Sequence, residues 1–420
     1  MTPHPIAIIG GGLTGLTCAI RLAEQGHQVH LFEAAPNLGG RTKSFYSPAV
    51  DHWVDHGPHL LIGAYQATQK LLHDVGASSN VTWQPSLHLP LWDKQRSFFS
   101  LKPKPYLPFP IALLISLMQL PAHGFKSVWS MLKIASSMKK PPNKSVQAWM
   151  EQLNIASELQ RDLIEPLCLG AMNEPMHRAD CKSFARVLNE AFANHNNARL
   201  GWFNQPISQA FIDPLKNHLE KLGISIFTST TIRDIEQNNG ICTLNTGTSQ
   251  TKPYSTAIIA LPAYARNRLL GIKQDVKTEA ITNVHLWFKT DITLPQPLIG
   301  SIGTYSQWFF DVSSQTGQKG LSHICAVISA ETPMNRKQSL KKVCAELGAL
   351  LQMELPQPVY HKIICEQRAT VVTSYENQTL SSGTILDASE APRPGDLPAT
   401  IESAILRGEE AARALCFQQK

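Results

Sequence analysis

Residues 6–15 read Ile6-Ala7-Ile8-Ile9-Gly10-Gly11-Gly12-Leu13-Thr14-Gly15, and the rest of the chain is organised around them. The first four are short, uncharged and largely β-branched, the pattern of a buried parallel strand. Gly10, Gly12 and Gly15 match G-x-G-x-x-G. From Leu16 to Gln25 the apolar residues Leu16, Ala19, Ile20, Leu22 and Ala23 recur at helical spacing, and Gly26 stands where a C-terminal cap belongs. A second strand, Gln28 to Phe32, delivers Glu33. Gly10 permits a tight turn, Gly12 lets backbone approach a pyrophosphate, and Gly15 lets helix and strand pack closely. The exposed N–H groups of the helix start, Leu13 and Thr14, then face the phosphates. Glu33, eighteen residues after Gly15, is placed to accept hydrogen bonds from a ribose diol. The strand, the turn, the helix and the acid together predict a dinucleotide site.

Five residues beyond Glu33 comes Leu38-Gly39-Gly40-Arg41-Thr42. With this extension the stretch resembles the long-FAD-binding flavoprotein family that includes amine oxidases and phytoene desaturases. The resemblance implies FAD rather than NAD, with Gly39, Gly40 and Arg41 lying against the cofactor. It also implies an α/β fold: a Rossmann-like FAD-binding domain interleaved with an α+β substrate domain.

A chain of 420 residues, 43% hydrophobic and 17% charged, is long enough for two such domains. The formal charge of +6 is modest, and its distribution matters more than its sum. Eight cysteines are scattered without any C-x-x-C, which argues against a metal knuckle or a disulfide framework and fits a reducing cytoplasm. No metal site is expected. The N-terminus enters a strand almost at once, with no basic n-region and no cleavage site, so no signal peptide is expected.

Ser44 to Tyr65 reads as strand-rich. Gly57, among bulky residues, marks either close backbone approach to a ligand or a bulge. His56 and His59 are either donors near a bound cofactor or histidines satisfied at the surface or in the core. Gln66 to Val75 reads as a helix. From Lys94 to Met150 there are nine Lys and Arg and no Asp or Glu. Inside that stretch the uncharged run Tyr106–His123 holds an apolar helix too short for the ~20 residues that span a bilayer. An apolar element flanked by cations suits an anionic membrane surface, and a buried helix with a solvated basic neighbour suits it equally. No nucleic-acid recognition module accompanies the charge.

Farther on, Ala148–Asn173, Gln209–Leu222 and Leu340–Leu351 read as helices. Residues 224–228, 232–236, 241–245, 257–261, 283–289 and 306–311 read as strands, with Asn239-Gly240 as a turn. The expected cofactor domain is discontinuous, over 1–75, 205–265 and 366–420, and the substrate domain covers 76–204 and 266–365.

Near the C-terminus, Thr384 to Ala388 precedes Leu397-Pro398-Ala399-Thr400-Ile401-Glu402, and Pro398 is placed to start a helix. In the flavin family a Gly-Asp pair contacts the phosphate and ribitol region of FAD, and the following helix points its positive end at the flavin ring. Asp387 fits that Asp, with Leu386 in place of the Gly; Pro398, Ala399 and Thr400 fit the helix start. Several blocks are more specific still: Asp55-His56-Gly57-Pro58-His59-Leu60-Leu61-Ile62-Gly63, Glu165 to Leu169, Asn283 to Phe288, Gln307-Trp308, Arg368-Ala369-Thr370 and Leu397 to Glu402. Across essentially the whole chain the set resembles the hydroxysqualene dehydroxylase family, the squalene-associated, FAD-dependent, desaturase-like proteins of bacterial hopanoid pathways. Pro58 and Ser403 depart from its usual Gln and Gly.

The resemblance implies that hydroxysqualene, an allylic C30 alcohol, loses its hydroxyl and gains hydride to give squalene, with NAD(P)H or another reductant. Ionising the alcohol leaves a delocalised cation, and a proton donor must meet the departing oxygen. His59 is the first candidate for that acid and Asp55 the second. A phytoene-type polyene desaturase shares the fold with opposite electron flow. A catalytically impaired, membrane-bound flavin scaffold is the alternative outside catalysis. The expected location is the cytoplasm, with peripheral inner-membrane association.

Overall fold

A computed structural model of the chain describes residues 4–247, 251–316, 320–330, 334–374 and 376–418. Ile6–Ile9 forms the central strand of a five-stranded, all-parallel sheet. Across that sheet the order is Ser225–Phe227, Val29–Phe32, Ile6–Ile9, Thr256–Ile259 and Ile385–Asp387. Strands covered on both faces need continuous apolar runs, and every residue of the first and fourth of these in chain order from Ile6, Ile6–Ile9 and Thr256–Ile259, is buried. Helix Leu13–Glu24 follows the glycine turn. The C-terminal helix Ile401–Gln418 lies so close along it that a Cβ on Gly408 would stand 2.5 Å from the Thr14 carbonyl oxygen. Arg21 fastens this pair to a third helix, Gln66–Asp74, pairing with Glu409 at 3.1 Å and with Asp74 at 2.9 Å.

A second, seven-stranded sheet has the order Tyr360–Val371, Thr278–Phe288, Ser322–Ser329, Trp308–Asp311, Leu298–Ile302, Leu89–Asp93 and Ser97–Leu101. It is antiparallel except where Leu298–Ile302 runs parallel to Leu89–Asp93. Helix Arg336–Leu351 covers part of it through Val343, Leu347 and Leu350. Loops reach this second sheet: Arg41, beyond the strand Val29–Phe32, donates to the Ala369 carbonyl, and Gly57, just past the hairpin of Ser44–Ser47 and His52–Asp55, lies against Asn283.

Three expectations about helices need correction. Ala148–Asn173 is interrupted: Val146–Gln152 ends near Asn154, which is left-handed (φ 49°), and a short turn, Ser157–Leu159, leads into a π-helical turn over Gln160–Ile164 before Glu165–Met172. Gln209–Leu222 likewise is a π-helical turn, Ser208–Ile212, followed by Asp213–Lys221. Both wide turns stand immediately before an acid-proline pair, Glu165-Pro166 and Asp213-Pro214. Proline has no N–H to give and its ring crowds the carbonyl four residues back. The backbone widens instead, and Glu165 and Asp213 donate five residues back, to Gln160 and Ser208. Lastly, the C-terminal helix begins at Ile401, three residues after Pro398.

Among the described residues no helix is long and apolar enough to cross a membrane, and no group of three or more His, Cys, Asp or Glu is placed to hold a metal ion. Seven cysteines, from Cys18 to Cys365, are free thiols; the side chain of Cys416 lies outside the described residues.

Candidate functional site

In open parallel sheets ligands sit beyond the carboxyl ends of the strands. Gly10 follows the first strand there with φ +117°. A Cβ on Gly15 would stand 1.9 Å from the Gly10 carbonyl oxygen, so strand and helix touch through two glycines. Gly12 differs: nothing lies within 4 Å of where its Cβ would be. Among the described residues no side chain caps helix Leu13–Glu24, and no acid occupies its first turn. An uncapped helix start beside an open glycine is a cradle for an anion.

Leu38-Gly39-Gly40 is laid against this turn. Gly39 donates its N–H to the Gly11 carbonyl at 2.8 Å, and a Cβ on Gly40 would lie 3.3 Å from the Cα of Gly12. Gly39 and Gly40 both have positive φ, +104° and +60°. Glu33 stands beyond the second strand. Its two oxygens accept one N–H each, from Ala35 and Gly11, both at 2.7 Å, which fixes the carboxylate and leaves lone pairs on either oxygen.

Arg41 reaches the last strand's continuation. Its Nη2 pairs with Glu390 Oε2 at 2.6 Å, while Glu390 extends the parallel ladder by donating its N–H to the Leu261 carbonyl. The other Glu390 oxygen, Oε1, is buried with no hydrogen-bond partner among the described residues, and so is Nε of Arg407. Burial holds the Arg407 guanidinium below its ordinary range against the pull of Glu390. Asp387 is differently employed. Its carboxylate pairs with Arg266 at 3.1 Å and accepts the N–H groups of Leu380 and Ser389 at 2.7 and 3.0 Å. Sequence reading passed over Glu390, three residues on, because only the pairing of Asp387 with Arg266 sets the two acids apart.

Thr400 caps the C-terminal helix reciprocally: its Oγ1 accepts the Ser403 N–H at 3.1 Å and its N–H donates to Ser403 Oγ at 3.0 Å. Ser403 therefore has a local task at this helix start. Pro398 is buried just before the cap, and Ala399 is half-buried. Glu402, also buried, caps helix Gln66–Asp74 by accepting the N–H groups of Ala67 and Thr68 and the Thr68 hydroxyl at 2.6–2.9 Å.

The segment 55–59 ends the hairpin of Ser44–Ser47 and His52–Asp55 and lies against the seven-stranded sheet. Asp55 Oδ1 accepts the Ser44 hydroxyl at 2.6 Å and the Ile207 N–H at 2.9 Å, yet burial pushes its carboxyl up to about 6. Gly57 is tight because a Cβ there would stand 2.5 Å from the Asn283 side chain. His59 Nε2 is buried with no hydrogen-bond partner among the described residues, and burial pushes its imidazole down to about 4. It is therefore neutral near pH 7, which makes it a hydrogen-bonding group and a poor store of protons. His56, half-buried, sets its ring edge-on to Phe45.

Two further buried groups are not among the site residues that the sequence marks. A cavity of about 10 Å³ is lined by Asp55, Gln315, His285 and His323 among others, and His285 Nδ1 lies 3.0 Å from His323 Nε2. Burial holds both rings neutral, His285 at about 4 and His323 well below its ordinary value. Glu174, buried after the left-handed Asn173, is pushed up to about 7 by burial, its carboxylate receiving a long 3.4 Å bond from the Thr373 N–H. No local pattern marks either: an isolated Glu in a loop or a His in a strand reads the same whether buried or not.

The model of flavin-containing amine oxidoreductases matches residues 13–387. Over 98% of its length the chain is 26% identical to a hydroxysqualene dehydroxylase from Sinorhizobium fredii, 98% of which is covered. It is 24% identical to a hydroxysqualene dehydroxylase from Zymomonas mobilis, with 96% of this chain and 97% of the relative covered. Among solved structures, a putative protoporphyrinogen oxidase from Exiguobacterium sp. 255-15 superposes over the full length of both chains with a TM-score of 0.71 at 14% identity, which speaks to the fold. The chain belongs to the family of flavin-containing amine oxidoreductases, and it is an FAD-dependent oxidoreductase.

Proposed function

We propose that the protein converts hydroxysqualene to squalene within squalene and hopanoid biosynthesis. The observation that carries this reading is similarity to hydroxysqualene dehydroxylases that runs end to end, through the cofactor turn and the substrate sheet alike. The balance is simple: the allylic C–O bond breaks, the hydroxyl leaves as water with one added proton, and the carbon takes a hydride. Reduced FAD supplies hydride chemistry, and NAD(P)H is the proposed source of the electrons.

The chain's own residues then have these roles. Gly12 and the N–H groups of Leu13, Thr14 and Gly15 receive the pyrophosphate, with Gly10 shaping the turn. Glu33 takes the ribose hydroxyls. Gly39, Gly40 and Arg41 line the same side, and Glu390, with a free buried oxygen and Arg41 beside it, takes the ribitol-facing role first expected of Asp387. The start of the C-terminal helix, Pro398 to Thr400, would offer its positive end to the flavin. Gly57 lets its segment lie close against Asn283. Near the reacting carbon, His59 orients the hydroxyl, and Asp55, which exchanges its proton at about 6, supplies the acid.

This division of labour is testable by pH. Turnover limited by protonated Asp55 falls as pH rises through about 6. Asp55→Asn loses that limb together with roughly 10²–10⁴-fold in rate, whereas His59→Gln, which keeps a hydrogen-bonding group, retains the limb. A wild-type profile flat from pH 5 to 8 would remove Asp55 from the role.

For the reaction itself, holoprotein incubated without oxygen with hydroxysqualene and NADH or NADPH should yield squalene only when reductant is present. Desaturation of a polyene by the oxidised protein, with hydroxysqualene untouched, would favour the phytoene-type alternative.

A further inference from the structure

Helix Phe125–Ser137 is built inside out. It buries Ser127, Ser130 and Ile134 and exposes Phe125 (82%), Trp129 (64%) and Leu132 (43%), which fall on one stripe at four- and three-residue steps. The serines are inside because they are bonded there: Ser130 Oγ accepts the Ala156 N–H at 3.0 Å, and Ser127 Oγ lies 2.9 Å from His123 Nδ1. The preceding helix, Phe109–Met118, buries Phe109, Ala112 and Leu117 together with Ser116, whose Oγ accepts the Lys102 N–H, and still exposes Ile111 and Met118. Tyr106, just ahead of it, is also exposed.

The loop between these helices is anchored. Asp162, fully buried, receives both guanidinium nitrogens of Arg96 at 2.6 Å and stands 3.0 Å from His123 Nε2. The pair therefore holds its apolar stripes outward on a fixed base. Around them Lys102, Lys104, Lys126, Lys139 and Lys140 are exposed, and 94–150 contains no acid. Only Lys133 in this helix is tied back, to the Leu153 carbonyl at 2.9 Å. A second copy docking face to face would press like charges together.

We propose that this helix pair docks on the surface of an anionic lipid bilayer, with Phe125, Trp129, Leu132, Ile111 and Met118 entering the acyl boundary and the lysines meeting headgroups. A 13-residue helix is about 20 Å long and lies in the plane of the interface. The inference deepens the proposed function, since a C30 substrate resides in lipid, but the surface stands on its own contacts.

The test is co-sedimentation of the FAD-loaded full chain with phosphatidylcholine vesicles, with and without phosphatidylglycerol. The wild type should bind strongly only with phosphatidylglycerol and weaken with salt. Phe125→Ser combined with Trp129→Ser should lose at least tenfold in binding. Lys126→Gln, Lys139→Gln and Lys140→Gln together should lose on the order of a hundredfold. Both variants should keep their flavin and turn over detergent-dispersed substrate as the wild type does. Equal binding to both vesicle types, wild-type binding by the aromatic variant, or a wild-type dimer that this variant converts to monomer would each overturn the proposal. Vesicle binding without any squalene formation would keep the surface and sink the reaction; squalene formation without binding would do the reverse.

Discussion

At the scale of single residues, two glycines three positions apart separate folding from loading. Gly12 has ordinary extended backbone (φ −78°) and open space at its Cβ, so Gly12→Val should fold like the flavin-free wild type yet take up no FAD. Gly15→Ala drives a methyl into the Gly10 carbonyl and should cost about 3 kcal/mol as well as the flavin. Flavin absorbance and the unfolding midpoint of each apoprotein check the contrast. Glu174 gives a pH signature. Its carboxyl is raised from 4.5 to about 7 in the folded chain, so the folded state binds the proton more tightly than the unfolded one. The stability it contributes is complete below pH 4.5 and is lost as pH rises to about 7, on the order of 3 kcal/mol. Glu174→Gln should remove that slope, measured as the difference in unfolding midpoint between pH 5 and pH 8; an unchanged slope would contradict it. The glycine spacing was legible because it acts within ten residues. The contrast between Asp387 and Glu390 was not, because Arg266, from another part of the chain, occupies the first and leaves the second beside Arg41.

At the scale of elements, the C-terminal helix joins two tasks. Thr400 and Ser403 close its own start, and Glu402 closes the start of Gln66–Asp74. Glu402→Ala strands two buried N–H groups and a hydroxyl, and should destabilise the holoprotein by about 2–3 kcal/mol. Early proteolytic release of the last helix would report it; wild-type protease resistance would contradict it. Amphipathic spacing announces most helices, but it does not register the widening that Pro166 and Pro214 impose on the turn that precedes each of them. The expectation that Pro398 opens the last helix gave too much weight to proline and too little to Thr400 and Ser403. The outward-facing aromatic stripe of Phe125–Ser137 was legible only as composition, since which side of a helix faces the core is settled by distant partners such as Ala156 and Asp162.

At the scale of the whole molecule, a parallel sheet carries the glycine turn and the open helix start, and the loops bearing Arg41 and Gly57 reach the seven-stranded sheet at Ala369 and Asn283. The parallel sheet was readable from buried strands and glycines. The larger sheet was readable only in pieces, because its order brings Leu89–Asp93 beside Leu298–Ile302, a pairing that no local pattern encodes. The central claim is that electrons flow from this protein into an allylic alcohol. The most direct measurement loads the chain with FAD, reduces it without oxygen and mixes it once with hydroxysqualene. The yellow colour should return, and one squalene should form per flavin. Flavin that stays reduced with no squalene formed, while the oxidised protein introduces double bonds into a polyene, would contradict it.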